Sequence, residues 1–418
     1  MPVGPYQALK KSSAVKTPPV TGSIVRMDAN VVDSSGKVIP QSQVMLHHLV
    51  FFNDGRPGAR RRDGACPTHD VGERFYGTSE ELRALTMPAG YGYRIDRREK
   101  WGTAWMLMNH THQDRRAWIR YRVTVDTSRQ LKPVKPYWVS IVPCVSDPQF
   151  SVPGGGPGQS TSTRWVSWKV PFTGRIVAVG GHLHGGSRDL RLTQPRCAGR
   201  TLVVSHPTYG MPDNPVYQVF PLLHEPDPLN ITWWQSATGV PVVKGEKLRL
   251  ASDYDGQWPH MRVMGIDHVY VTPDAHASRG CTPLPADAQE LGPDWVGRPT
   301  PPHVELTLAA MGRDGYAHPI DAPSGRVVSF NGAGSVRELG FGFHPSNISI
   351  PLGASVRWSF GDSTQHDVTL NNGPRGFAGP WSKKGGTWRY RFTVPGTYKL
   401  YCSLHPVYMS QVVRVRGG

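Results

Sequence analysis

Long helices are hard to place anywhere in this sequence. Glycine and proline interrupt it throughout, 46 and 39 of 418 residues, and neither sits inside a helix without a conformational cost. Between the interruptions lie short runs of Val, Ile, Thr, Tyr and Trp, among them QVMLHHLVFF, AWIRYRVTV and GTYKLY. Such runs, bounded by turn residues, read as strands. The chain is therefore all-β, and at this length it needs two or three separate cores. Residues 1–22 are rich in Lys, Ser and Pro and are expected to form a disordered tail. Strand signals fill 23–150, pause over a Gly-rich connector at 151–162, and resume over 163–275. A second connector, polar and Pro-rich, spans 276–302, and a third β region covers 303–418.

The formal charge is +16, scattered apart from a cluster at Arg60, Arg61 and Arg62. No zinc-finger spacing, helix-turn-helix pattern or RNP-like motif accompanies it, so the charge reads as a basic surface rather than a nucleic-acid site. Such a surface attracts an anionic reductant or an anionic envelope. There are five cysteines, Cys66, Cys144, Cys197, Cys281 and Cys402. Setting Cys402 aside as a metal ligand leaves four, and the expected pairing is Cys66 with Cys144 and Cys197 with Cys281, one of the three connectivities that four cysteines allow. Disulfides place the protein in an oxidising, extracytoplasmic compartment. No apolar run reaches the ~18 residues of a membrane span, and the start lacks the apolar core of an export signal, which is expected to have been removed.

The stretch from Tyr398 to Met409, YKLYCSLHPVYM, puts a thiol, an imidazole and a thioether directly after a strand signal. His366, in GDSTQHDVTL, adds a second imidazole behind another strand. Two imidazoles and a thiolate with a weak axial thioether form the ligand set of a type 1, or blue, copper site, so His366, Cys402, His405 and Met409 are its expected ligands. Three residues separate His405 from Met409, and Gln411 is the alternative axial ligand. With this order of ligands, the last ~95 residues resemble a cupredoxin of the plastocyanin kind. The resemblance implies a Greek-key β-sandwich that carries electrons.

A second set of ligands lies upstream: His47 and His48 in QVMLHHLVFF, His110 and His112 in MLMNHTHQD, His182 and His184 in GGHLHGG, and Met264 in HMRVMGIDHVYV. Residues i and i+2 of a strand share a face, so His182 and His184 can grip one metal together. Adjacent His47 and His48 can share a metal only where the backbone is twisted or irregular. His69, His206, His224, His318 and His344 show no such grouping and read as ordinary surface residues. The set over residues 23–275 resembles the copper type II, ascorbate-dependent monooxygenases typified by peptidylglycine alpha-hydroxylating monooxygenase. HLHGG with HMRVMG is also similar to plant stress-induced nodulin-like proteins.

The resemblance implies two tandem jelly-roll β-sandwich domains and two further type 2 coppers. His47, His48 and His112 would hold the electron-transfer copper, with His110 competing for the third place. His182, His184 and Met264 would hold the catalytic, oxygen-activating copper. Gly180 stands where the peptide-hydroxylating enzymes carry a basic residue for the peptide carboxylate, and His268 where they carry a tyrosine, which argues against a peptidylglycine substrate. The function expected is a copper-dependent monooxygenase with a fused electron relay. Its partners would be a small-molecule substrate, O2 and an external reductant such as ascorbate or a redox protein, with no nucleic acid. The alternative is a non-enzymatic copper-binding or electron-transfer protein; a sugar- or envelope-binding protein is a third reading. Laccase-like chemistry is disfavoured because YCS replaces the His-Cys-His segment that a trinuclear cluster requires.

Overall fold

Alternation of apolar and polar residues along short runs produces strands that bury one face, and the structure, a computed structural model, consists of strands joined by turns. It describes residues 1–57, 72–128, 130–145 and 147–417. Among these there is no α-helix, only two short 3-10 turns, and no helix long and apolar enough to cross a membrane. The sheets pair over three apolar cores. In the first, Ala8–Val15, Trp101–Asn109, Val44–Pro57 and Gly72–Thr78 form one sheet, and a second is built around Gly22–Val32. Ile24, Met27, Leu49, Phe51, Phe75 and Trp101 fill the space they share. The second core lies between the sheet centred on Gly174–Leu183 and the sheet of Thr161–Lys169, Lys247–Asp255, Ser187–Gln194 and Arg200–Ser205. The third, around Trp358, Phe392, Tyr398 and Val413, lies between the sheet holding Gly396–Tyr401 and the sheet holding Ser355–Phe360.

Several segments depart from the expected layout. The N-terminal residues do not form a disordered tail: Ala8–Val15 pairs along its whole length with Trp101–Asn109, from Ala8 opposite Met108 to Val15 opposite Trp101. Its composition is polar because it is an edge strand with one neighbour and largely exposed side chains, where charged residues also discourage edge-to-edge pairing. Lys135–Ser140 crosses from the first region to pair with Gly265–Pro273 of the second. The 276–302 connector is held against the second region by Gln289–Leu291, which pairs with Trp233–Val242, and by a disulfide between Cys197 and Cys281. Cys144 is also disulfide-bonded; Cys66, His69 and the Arg60–Arg62 cluster lie outside the described residues.

The three cores meet. Tyr6, Met45 and Met108 from the first region, Leu223 from the second, and Ala309, Ala317 and Val407 from the third form one buried cluster. Val407 lies between His405 and Met409, so the loop that carries both residues faces the other two regions. Met311 N–H donates to Val407 O at 2.9 Å.

The Cys197–Cys281 bridge closes a separation of 84 residues, and long loops gain most from such a constraint. Cys281→Ser should lower unfolding free energy by about 2–5 kcal/mol, read as a drop in the urea midpoint with a steeper slope, because the unbridged unfolded chain exposes more surface.

Candidate functional site

The strand Gly396–Tyr401 ends directly on Cys402, and the turn beyond it closes on itself. His405 N–H donates to Cys402 O at 3.0 Å, and Cys402 N–H donates to Met409 O at 3.1 Å. His366 is fixed opposite by two backbone bonds with Ser382, each 2.8 Å. These constraints place His366 Nδ1 3.9 Å and His405 Nδ1 3.5 Å from Cys402 Sγ. His366, Cys402 and Met409 are fully buried, while His405 is half-buried. His366 Nε2 faces Asp362 at 3.0 Å and Glu338 at 3.2 Å, which favours a proton on Nε2 and leaves Nδ1 free toward the thiol. Gln411 is committed elsewhere: its Oε1 accepts from Trp358 Nε1 and its Nε2 donates to Pro345 O, both at 2.8 Å. Met409 therefore remains the axial candidate. Burial pushes the Cys402 thiol well above its usual range, and Asp367 adds to the shift. Burial also holds His405 down to about 4. Two imidazoles and a thiol that ionises only beside a cation suit a soft transition metal.

Asp367 connects this site to the rest of the chain. Its carboxylate accepts from Ser403 N–H at 2.7 Å, Ser403 Oγ at 2.5 Å and Trp381 Nε1 at 3.0 Å, and it pairs with Arg262. Asp367 follows His366, and Ser403 follows Cys402. Arg262, from the strand His260–Val263, also donates to Gly379 O at 2.7 Å and Gln149 Oε1 at 2.8 Å.

A second centre forms where the first two regions meet. Leu46 lies opposite Leu107 and His48 opposite Met106, so His47 is the extra residue of a β-bulge. The bulge supplies the irregular backbone that the HH pair requires; the two ring centroids lie 5.6 Å apart. His182 and His184 bring their Nε2 atoms to 3.1 Å. His47 lies 5.6 Å from His184 and 4.7 Å from His224, centroid to centroid. His110 is buried and close enough to His47 for that ring to depress its charge, whereas His112 stacks on Tyr316 at 4.1 Å. His224 belongs to this cluster although its sequence context showed no pairing with another histidine. Its only sequence signal is HEPD, an imidazole followed by two acids. Gly186 adopts φ +78°, and a Cβ there would collide with the His260 ring, which accounts for the double glycine of HLHGG.

Carboxylates lie behind the rings. Glu81 approaches His182 Nδ1 at 3.4 Å, Asp227 approaches His184 Nδ1 at 3.7 Å, and Glu225 meets His260 Nδ1 at 2.8 Å. Partners of this kind orient imidazole ligands and raise their basicity. Nothing in the sequence spacing marked Glu80 or Glu81, which arrive from the first region. Met264 is buried, and its carbonyl accepts from Tyr254 O–H, whose oxygen in turn accepts His184 N–H at 3.0 Å.

Two cavities divide these residues. One, of about 270 Å³, is walled by His48, His182 and Met264 together with apolar Leu49, Val50, Phe52 and Ile266. A Cβ at Gly180 would run into the Trp233 ring and then into Arg83, which lines the same cavity, so an indole and a guanidinium from other segments take the space beside Gly180. The other cavity, about 150 Å³, has His47, His184 and His224 on one side and Trp381, Tyr401 and Ser403 on the other. The grouping is thus His48 and His182 with Met264, and His47 and His184 with His224.

The residues fit metal ions. His47, His48, His110 and His224 each keep a buried Nδ1 without a hydrogen-bond partner. Burial holds His47 and His110 down to about 4 and His48, His184 and His224 well below their ordinary value, so these rings are neutral, with lone pairs available, at neutral pH.

A curated protein, amicyanin-alpha of Methylorubrum extorquens, is 30% identical over 74 residues, 17% of this chain and 62% of the relative's own length. Among solved structures, an oxidised amicyanin variant is 26% identical over 20% of this chain and 82% of its own, with a TM-score of 0.19. A reduced amicyanin variant is 30% identical over 20% and 83%, also with a TM-score of 0.19. No family model matches the chain. The chain thus has a partial cupredoxin-like likeness over 74 residues, 17% of its length, together with clusters of side chains capable of holding metal.

Two outcomes are expected. An imidazole whose pKa is depressed on folding binds fewer protons than in the unfolded chain between the two values, so stability falls as pH falls through that window. The metal-free protein should lose stability from about pH 6.5 toward pH 4, the span set by His47 and His110, in thermal melts across that range. Arg262→Ala leaves the Asp367 carboxylate buried without its cation, and should cost about 3–5 kcal/mol by chemical denaturation.

Proposed function

We propose that this chain is a copper-dependent redox protein in which the cupredoxin-like region serves as electron relay to the histidine centre. The reaction served would be an O2-dependent hydroxylation of a small molecule. The single observation that supports the catalytic half is the cavity walled by His48, His182 and Met264. It pairs imidazole and thioether donors with apolar walls, as a pocket for a compact substrate requires. Copper, when bound, would supply one-electron chemistry at the Cys402 site and oxygen reduction at the histidine centre.

The side chains have separate tasks in this reading. His366, Cys402, His405 and Met409 hold the type 1 ion. His48 and His182 with Met264, which share one cavity, would act as the catalytic set, and His47 and His184, which share the other, would hold the electron-transfer ion, rather than His182, His184 and Met264 with His47, His48 and His110 or His112. Asp367 and Arg262 keep the cupredoxin-like region seated, and Leu49, Val50, Phe52 and Ile266 keep water from the substrate. An external reductant, ascorbate or a redox protein, would supply the electrons. The Cys197–Cys281 bridge supports an extracytoplasmic location.

A second reading, a copper-binding electron-transfer protein without catalysis, is favoured by the comparisons, because the likeness they find is to amicyanin and covers 74 residues of the chain. Spin-counted EPR and oxygen uptake separate the two. The monooxygenase reading expects a narrow-hyperfine blue signal with about two further type 2 coppers per chain and reductant-driven O2 uptake. That uptake should be lost in Met264→Ala while the blue chromophore survives. A blue signal alone, or uptake that persists in the variant, leaves the electron-transfer reading.

A further inference from the structure

Buried acids gather beside the histidine centre with imidazoles facing them. Glu80, from the first region, and Asp227, from the second, are 1% and 0% exposed. Together with His224 they bring one donor atom each to within 4.8 Å of one another. Glu80 Oε1 lies 3.7 Å from His224 Nδ1, and neither atom has a hydrogen-bond partner. The other carboxylate atoms are held in place. Glu80 Oε2 accepts Asp227 N–H at 3.2 Å, Asp227 Oδ1 accepts Gly185 N–H at 2.8 Å, and Asp227 Oδ2 accepts Ser79 Oγ at 3.4 Å.

The electrostatics are one-sided. Burial raises Glu80 to about 8 and Asp227 well above its ordinary value. The charged side chains that act on the pair are acidic: Glu80, Glu81 and Glu225 on Asp227, and Glu81 on Glu80. Among the described residues, no lysine or arginine forms an ion pair with either or is among the groups that act on them most strongly. Burying two carboxylates together with an unpaired imidazole nitrogen is costly unless a cation joins them.

We propose that Glu80, Asp227 and His224 form a binding site for a divalent first-row metal ion, separate from the thiolate and thioether sites. Two carboxylate oxygens and one imidazole suit an ion of borderline hardness such as Mn2+ or Zn2+. All-oxygen sites suit Ca2+ and Mg2+ better, and Cu(I) prefers sulfur. The His47 ring, 4.7 Å from His224, is the nearest further imidazole. Because Glu80 comes from one region and His224 and Asp227 from the other, the ion clamps the two together.

The test is titration of the full-length, metal-free chain with Mn2+, following loss of the free-ion EPR signal, with thermal melts alongside. Glu80→Gln and His224→Gln are compared with the unaltered protein. About one Mn2+ per chain is expected, with a raised melting temperature. Each variant should bind at least about tenfold more weakly, with an unchanged near-ultraviolet spectrum. Glu80→Gln should also lose the Mn2+-induced rise in melting temperature. Failure of the chain to bind either Mn2+ or Zn2+ overturns the proposal, as does binding that survives in Glu80→Gln. Formation of the blue chromophore with copper is read separately, so failure here leaves the copper reading intact.

Discussion

The relation between the cupredoxin-like region and the rest of the chain depends on one buried charge. Asp367 is completely inaccessible, and a carboxylate so placed is tolerated only when its lone pairs are taken and its charge is met. Ser403 and Trp381 take the lone pairs, and Arg262 meets the charge. Because Asp367 is bonded to His366 in the chain and hydrogen-bonded to the neighbour of Cys402, the same interaction sets the spacing of the two ligand segments. Because Arg262 belongs to the strand leading to Met264, it also sets where the third region sits on the second.

Desolvation governs the histidine centre in a complementary way. Packing the first region against the second excludes water from His47, His110 and His184, and the charged imidazolium becomes unfavourable there. The rings are kept as bases, oriented by carboxylates that share their burial. A cluster of this kind is ill-suited to stability alone, since neutral imidazoles and paired acids contribute little to a core. It suits a site that gains its favourable energy when a cation enters.

Much of the cupredoxin-like site was legible because its ligands are local in sequence. Cys402, His405 and Met409 lie in one turn, and only His366 had to be brought in from another strand. The HLH pair was legible for the same reason, since alternate residues of a strand share a face. The partnership of His47 with His224 was not, because it joins residues from two regions with no common motif. The bulge at His47 was implied by the HH pair, but only the register against Trp101–Asn109 locates it. The N-terminal segment misled because the polar composition of an exposed edge strand matches that of a tail.

By itself the sequence determined the all-β class, through the density of Gly and Pro between short β-branched runs, and the donor types available to metal, through Cys, His and Met at strand ends. Those properties are local, set by backbone preference and side-chain chemistry. Only the tertiary structure decided which imidazoles share a cavity, which carboxylates lie behind them, and how the ligand loop of the third region faces the first two. Those relations depend on the register of strands far apart in sequence and on the burial that their packing creates.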